Sequence, residues 1–201
     1  MTIYPETENP LNLYKLLIGA VVPRPIALVS SLSADGIPNL APFSFFTVAS
    51  ANPPVICFAP MFRGADGSSK DTLQNIRDTK EFVVNIVSED FGPRMNLTAG
   101  EYPPQVNEFE VSGLTPLASE AVGAFRVAES RVQMECRLKE IVEVSSLPLG
   151  GSLVLGEIVR MHIADEIVTD YRIDPDKLAA IGRMGGPTYS RTRDRYEMER
   201  P

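Results

Sequence analysis

Tryptophan is absent from this 201-residue sequence, histidine occurs once and cysteine twice. One histidine and two cysteines are too few for a Cys/His zinc cluster, so no metal site is expected, and they cannot staple a disulfide-rich secreted scaffold. Positive charge is also short. Nineteen Lys and Arg stand against 26 Asp and Glu, a formal charge of −7. That balance argues against a nucleic-acid binder working through a basic surface. No apolar run reaches the roughly 20 residues that a membrane helix needs. The opening Met1-Thr2-Ile3-Tyr4-Pro5-Glu6 lacks a signal-peptide pattern. A cytoplasmic protein with no membrane or nucleic-acid partner is therefore expected. Catalysis by a Ser-His or Cys-His pair would have to pass through His162. Chemistry carried by a bound cofactor is the more economical expectation.

What is present fits one domain over residues 1–201, with 44% apolar and 22% charged residues. The 17 prolines are spread along the chain as loop punctuation. Residues 11–18 suit a short helix, and so do 71–79 and 90–99. Strands are expected at Ile26–Leu32, Val55–Phe58 and Phe82–Val87. From Arg131 to Val144 the pattern alternates, with Val132, Met134, Cys136, Leu138, Val142 and Val144 on one face. Gln133, Glu135 and Arg137 fall on the other, and Glu140 interrupts the apolar side. A second long strand, Leu153–Ile163, puts Leu153, Leu155, Val159, Met161 and Ile163 together, opposite Arg160 and His162. Joined through Pro148-Leu149-Gly150-Gly151, the two read as a hairpin. Strands outnumber helices and no strand–helix–strand alternation appears. The expected class is mainly β with peripheral α, an antiparallel barrel.

No Gly-x-Gly-x-x-Gly fingerprint follows a strand and no Walker loop occurs. Two segments could carry chemistry. In Gly67-Ser68-Ser69-Lys70-Asp71-Thr72, hydroxyls and a lysine gather at a helix N-terminus, where free N–H groups and the helix dipole favour a phosphate. The plain alternative is a helix capped by Ser69 or Asp71 beside a solvated lysine. In Asn39-Leu40-Ala41-Pro42-Phe43-Ser44-Phe45-Phe46-Thr47, small polar residues interleave with phenylalanines. They could wall a flat ring or be an aromatic piece of core. Cys57 and Cys136 lie within strands and read as reduced packing residues.

Taken together, Pro23-Arg24-Pro25-Ile26-Ala27-Leu28-Val29-Ser30-Ser31, the Asn39–Phe46 block, Asn52-Pro53-Pro54 and Ser69-Lys70-Asp71-Thr72-Leu73-Gln74-Asn75-Ile76 resemble the flavin reductase-like family. The likeness continues through Glu81-Phe82-Val83-Val84-Asn85, Gly156-Glu157-Ile158-Val159 and Ile181-Gly182-Arg183-Met184-Gly185-Gly186-Pro187-Thr188-Tyr189, and spans about residues 13–196. Within the family it is similar to the flavoredoxin-like proteins. The resemblance implies an FMN-binding split β-barrel, with a core over about 13–170 and a tail, 171–201, packing near the site. It implies a homodimer with FMN at the subunit interface.

Carried onto this chain, the resemblance places Ser69, Lys70 and Thr72 on the FMN phosphate. Ser30 and Ser31 would lie near the ribityl chain or phosphate. Ser44, Phe45 and Phe46 would line the isoalloxazine, and Asn52 the ring or ribityl hydroxyls. Arg183 and Tyr189 would close over the site or be part of a solvated tail. The activity implied is an oxidoreductase of the NAD(P)H-dependent flavin reductase or flavoredoxin type, with NADH or NADPH as substrate and an electron-acceptor protein as partner. No dedicated catalytic acid or base is expected. The Gly-Asp-His motif linked to nicotinamide binding is replaced by Leu149-Gly150-Gly151-Ser152. A non-enzymatic FMN carrier and a haem-binding barrel using His162 are the alternatives. The bland place for His162 is the polar face of a strand.

Overall fold

The computed structural model describes residues 1–64 and 67–199. Its centre is a seven-stranded antiparallel sheet. The strands are β1 (Ala27–Leu32), β2 (Pro38–Phe43), β3 (Phe46–Ala51), β4 (Pro54–Phe58), β5 (Glu81–Ile86), β6 (Val132–Ser145) and β7 (Gly151–Ile163), in the spatial order β2-β1-β5-β6-β7-β4-β3. The two edge strands are consecutive in sequence, separated only by Ser44 and Phe45. Laid flat, six inter-strand steps would hold them about 29 Å apart. A two-residue link spans only about 10 Å at most, so the sheet curls until its edges meet at that seam. This is the expected antiparallel barrel.

The barrel interior holds Ala27, Val29, Phe43, Ile56, Phe58, Phe82, Val84, Met134, Cys136 and Val154. Helix α1 (Pro10–Ala20) starts under the cap of Asn9, whose side chain accepts from the Leu11 N–H, with Pro10 in the first turn. Helix α2 (Asp71–Thr79) contributes Leu73 and Ile76, three residues apart on one face, to the same core. A second cluster covers the outside of β1 and β2. There Leu28 and Leu40 meet Phe91 and Met95 around α3 (Gly92–Leu97), and Phe109 from α4 (Glu108–Ser112). Strand β1 is buried on both sides, which is why its apolar run does not alternate. Beyond the barrel, a short helix α5 (Pro175–Leu178) leads to β8 (Ile181–Arg183) and β9 (Tyr189–Arg191). Strand β8 pairs with Arg24–Pro25, tying the tail to the start of β1.

The long hairpin departs from strict alternation. A register shift between Leu155/Gly156 leaves Lys139 unpaired on β6, so the inward set passes from Leu138 to Ile141. Val142 and Val144, expected inside, are exposed. On β7 the inward residues are Val154 and Ile158, not Leu153 and Leu155. A second shift at Val159 then returns Met161, paired with Met134, to the side of Ile158, with Arg160 and His162 on the other side beside Glu135 and Gln133. Each bulge adds one residue to one strand and reverses the faces beyond it. Gln133 and Glu135, on the polar face, are buried too, under the segment that ends in Arg126–Val127.

Candidate functional site

The seam and the tail bound a groove made of three cavities that share walls. The largest, about 490 Å³, is lined by Leu17 of α1 and Val21 just after it, by Arg24, and by Ser44, Phe45 and Phe46 at the seam. A middle cavity of about 260 Å³ lies between Tyr14, Pro42, Ser44, Asn96, Ala99, Arg183 and Tyr189. Ser44 belongs to both. The third, about 110 Å³, shares Pro42 and Ala99 with the middle one and ends against Arg63, Lys70 and Thr72 at the start of α2. One end is therefore broad and apolar, the other small and polar.

The polar end is built on a helix that opens without a side-chain cap. Lys70 occupies the N-cap position and makes no capping hydrogen bond. Ser69 Oγ instead donates to the Lys70 carbonyl at 3.3 Å, and the Asp71 carboxylate pairs with Arg63 at 3.2 Å. Neither takes the capping role open to it in the sequence. The first turn of α2 borders this small cavity with Lys70, which has no carboxylate partner among the described residues, and with the Arg63–Asp71 pair. Glu108 lies on its wall, and the free N–H groups and Lys70 are what suit an anion. Behind it lies a buried relay. Thr72 Oγ1 donates to Asn39 Oδ1 at 2.7 Å, Ser31 Oγ to the same oxygen at 3.4 Å, and Asn75 Nδ2 to Ser31 Oγ at 3.1 Å. Glu108 anchors Asn39, accepting from its Nδ2 at 3.0 Å and from the Leu40 N–H at 2.9 Å. Burial pushes the Glu108 carboxyl up, against these hydrogen bonds.

At the seam, Arg24 Nε donates to Ser44 Oγ at 3.2 Å, while its Nη1 reaches the carbonyls of Ile18 and Val21 at 2.6 and 2.7 Å. Its Nη2 donates to the Met184 carbonyl at 3.0 Å. One side chain joins α1, the seam and the tail. Arg183 lies 4.5 Å over the Tyr189 ring, and Tyr189 Oη donates to Asn96 Oδ1 at 2.9 Å.

Of the candidate residues, Ser44, Phe45, Phe46, Lys70, Thr72, Arg183 and Tyr189 line the groove. Ser31 stands one layer behind it. Ser30 is fully buried on the outer side of β1, its hydroxyl bonded to the Phe125 carbonyl. Asn52 sits at the exposed tip between β3 and β4, where its N–H donates to Ser50 Oγ, and lines none of the three cavities. Sequence reasoning assigned no role to Arg63, Glu108 or Tyr14. Arg24 was visible only as part of Pro-Arg-Pro, a pattern that says nothing of burial. His162 is away from the groove, its Nε2 against Glu135 at 2.6 Å. That is the nitrogen most open on a histidine, and here it is not free for a haem iron. Among the described residues no three His, Cys, Asp or Glu side chains gather in a way that could hold a metal ion. No helix among them is long and apolar enough to cross a membrane.

Residues 19–178 match the model of the flavin reductase like domain. The chain belongs to the flavin reductase-like family. A 46% identical relative, an uncharacterized protein of Aquifex aeolicus, matches over 92% of this chain and 91% of its own length. Among solved structures, nitrilotriacetate monooxygenase component B from Bacillus cereus superimposes with a TM-score of 0.94 at 34% identity, covering 98% of both chains. The 2-nitrobenzoate 2-nitroreductase NbaA of Pseudomonas fluorescens gives 0.89 at 34% identity, over 100% of this chain and 96% of its own. Flavoredoxins share the fold. This flavin reductase-like chain is thus a split-barrel protein of the flavin reductase type of oxidoreductase.

Proposed function

We propose that the chain binds FMN along the groove and works as an NAD(P)H-dependent flavin reductase-type oxidoreductase. The observation that carries this reading is the polarity of the groove, broad and apolar at Phe45 and Phe46, small and polar at Lys70 and Thr72. A flavin mononucleotide has that same polarity, a flat ring at one end and a phosphate at the other. The uncapped start of α2 offers backbone donors where a terminal phosphate would lie. The small cavity is walled by Thr98, Ala99, Gly100, Tyr102 and Glu108, which suits a chain ending in one phosphate better than a dinucleotide such as FAD.

When bound, flavin supplies the electron-transfer chemistry that side chains lack. The residues of this chain hold and orient it. Lys70 and Arg63 receive the phosphate, and Asn39 and Ser31 keep Thr72 in place beside it. Phe45 and Phe46 pack against the ring, and Ser44 is fixed by Arg24. Arg183 and Tyr189 form a lid whose two halves stack on each other. No proton-transfer residue is needed in the groove.

A second copy of the chain completes the site. Leu17, Val21, Val144 and Leu147 are all exposed and border the seam cavity or the one beside it. A continuous apolar surface of this kind marks an interface. The tip at Asn52, remote from its own groove, is free to approach the partner's.

The turn Leu149-Gly150-Gly151-Ser152, without Asp or His, favours a second reading, an FMN carrier reduced by another protein. Steady-state oxidation of NADH and NADPH with added FMN separates the two. Turnover with either supports the reductase, and tight FMN without turnover supports the carrier.

A further inference from the structure

Arg24 is 5% exposed and lines the seam cavity, yet no carboxylate pairs with it among the described residues. Its four hydrogen bonds go to three carbonyls and a hydroxyl, all neutral acceptors. Two of those carbonyls, Ile18 and Val21, belong to the end of α1, where the helix dipole is weakly negative. Arginine stays protonated at any ordinary pH. A full positive charge is therefore held at the cavity wall and only partly offset. Arg183, the register partner of Arg24 across the β8 pairing, adds a charge of the same sign, and among the described residues no carboxylate pairs with it either. In a chain of net charge −7, such a site is a local exception. Buried charges are ordinarily paired, and a cation left without its anion fits a ligand that brings one.

We propose that Arg24 makes the groove hold reduced FMN, which is anionic at neutral pH, more tightly than oxidised FMN, whose ring is neutral. The consequence is retention. Reduced flavin stays on the protein, and the electron acceptor comes to it. This rests on the FMN reading above and goes beyond it, since phosphate recognition at Lys70 is the same for both redox states. Arg24 acts on the ring through its charge, and on Ser44 and the tail through its hydrogen bonds. Only the first role depends on flavin redox state.

The test compares affinity for oxidised FMN, by fluorescence titration, with affinity for dithionite-reduced FMN, from the midpoint potential of the complex. The wild-type protein is expected to bind reduced FMN more tightly. Arg24→Gln, which keeps donors but removes charge, should lower that preference at least tenfold, equal to about 30 mV for a two-electron couple. Arg24→Lys, which keeps the charge, should stay within threefold of wild type. A wild-type protein that binds both forms equally overturns the inference while leaving the FMN site standing, and does so even if the Gln variant fails to fold. An unchanged preference in a folded Gln variant overturns it too. A wild-type protein that binds neither form of FMN overturns both.

Discussion

Nε2 of His162 lies 2.6 Å from Oε1 of Glu135, a carboxylate fully withdrawn from solvent. The same carboxylate accepts the N–H groups of Glu120 and Ala121 at 3.0 and 2.6 Å. Arg126 stands 3.9 Å away. One buried anion thus fastens the segment around residue 120 to the outside of β6. His162→Phe removes one partner, and the expected loss is about 1–3 kcal/mol of stability. FMN affinity should not change. Urea unfolding measures the first and fluorescence titration the second.

The acid limb of stability should carry the mark of Glu135. Burial alone would raise its carboxyl, but the Glu120 N–H, His162 and the Ala121 N–H outweigh burial and hold it below the ordinary 4.5. A carboxyl depressed in the folded state contributes stability in full above its unfolded value. That contribution is lost as pH falls through the lower folded value. Urea unfolding from pH 6 to pH 3 should show a steeper fall for the wild-type protein than for Glu135→Gln.

Packing inside the barrel predicts the outcome of a one-carbon change. A Cβ at Gly156 would come within 2.3 Å of Phe82 Cζ and 3.3 Å of Cys136 Cβ. Phe82 is fully buried against Phe58, ring centroids 5.6 Å apart, and has little room to move. Gly156→Ala should cost about 1–3 kcal/mol through overpacking. Chemical denaturation of the variant checks this.

Much of this architecture was legible in the residues. Helix α2 was expected over 71–79 and occupies Asp71–Thr79, because Leu73 and Ile76 mark its inner face and few other apolar residues compete. The long hairpin was legible as a hairpin but not in its faces. Bulges at Lys139 and Val159 reverse the alternation, and nothing at those positions announces an extra residue. Glu135 and Gln133 look like solvent-facing residues in a strand pattern. They are buried because the preceding segment folds back over them, residues 120–121 onto Glu135 and residues 126–130 onto Gln133. Arg24 is the same lesson at the groove, since its acceptors lie on α1, the seam and the tail. Local pattern specifies elements well, and long-range contacts decide which polar side chains end up inside.

The interface reading makes a separate demand. Val144 is 73% and Leu147 70% exposed, beside the seam. Val144→Asp combined with Leu147→Asp should leave the fold intact and shift the protein to monomer in sedimentation velocity. FMN affinity should weaken with it if, as proposed, a partner chain completes the site. A double variant that remains dimeric places the interface elsewhere.

The FMN site itself is tested most directly by parallel titration of the protein and its Lys70→Ala variant with FMN and with riboflavin, followed by flavin fluorescence. A charge-assisted contact to phosphate contributes about 1.5–3 kcal/mol, so the variant should lose roughly tenfold or more in FMN affinity. Riboflavin, which has no phosphate, should bind both proteins equally and more weakly than FMN binds the wild type. Equal affinity for FMN and riboflavin in the wild type, or an unchanged FMN affinity in the variant, would contradict the assignment of the phosphate to the start of α2.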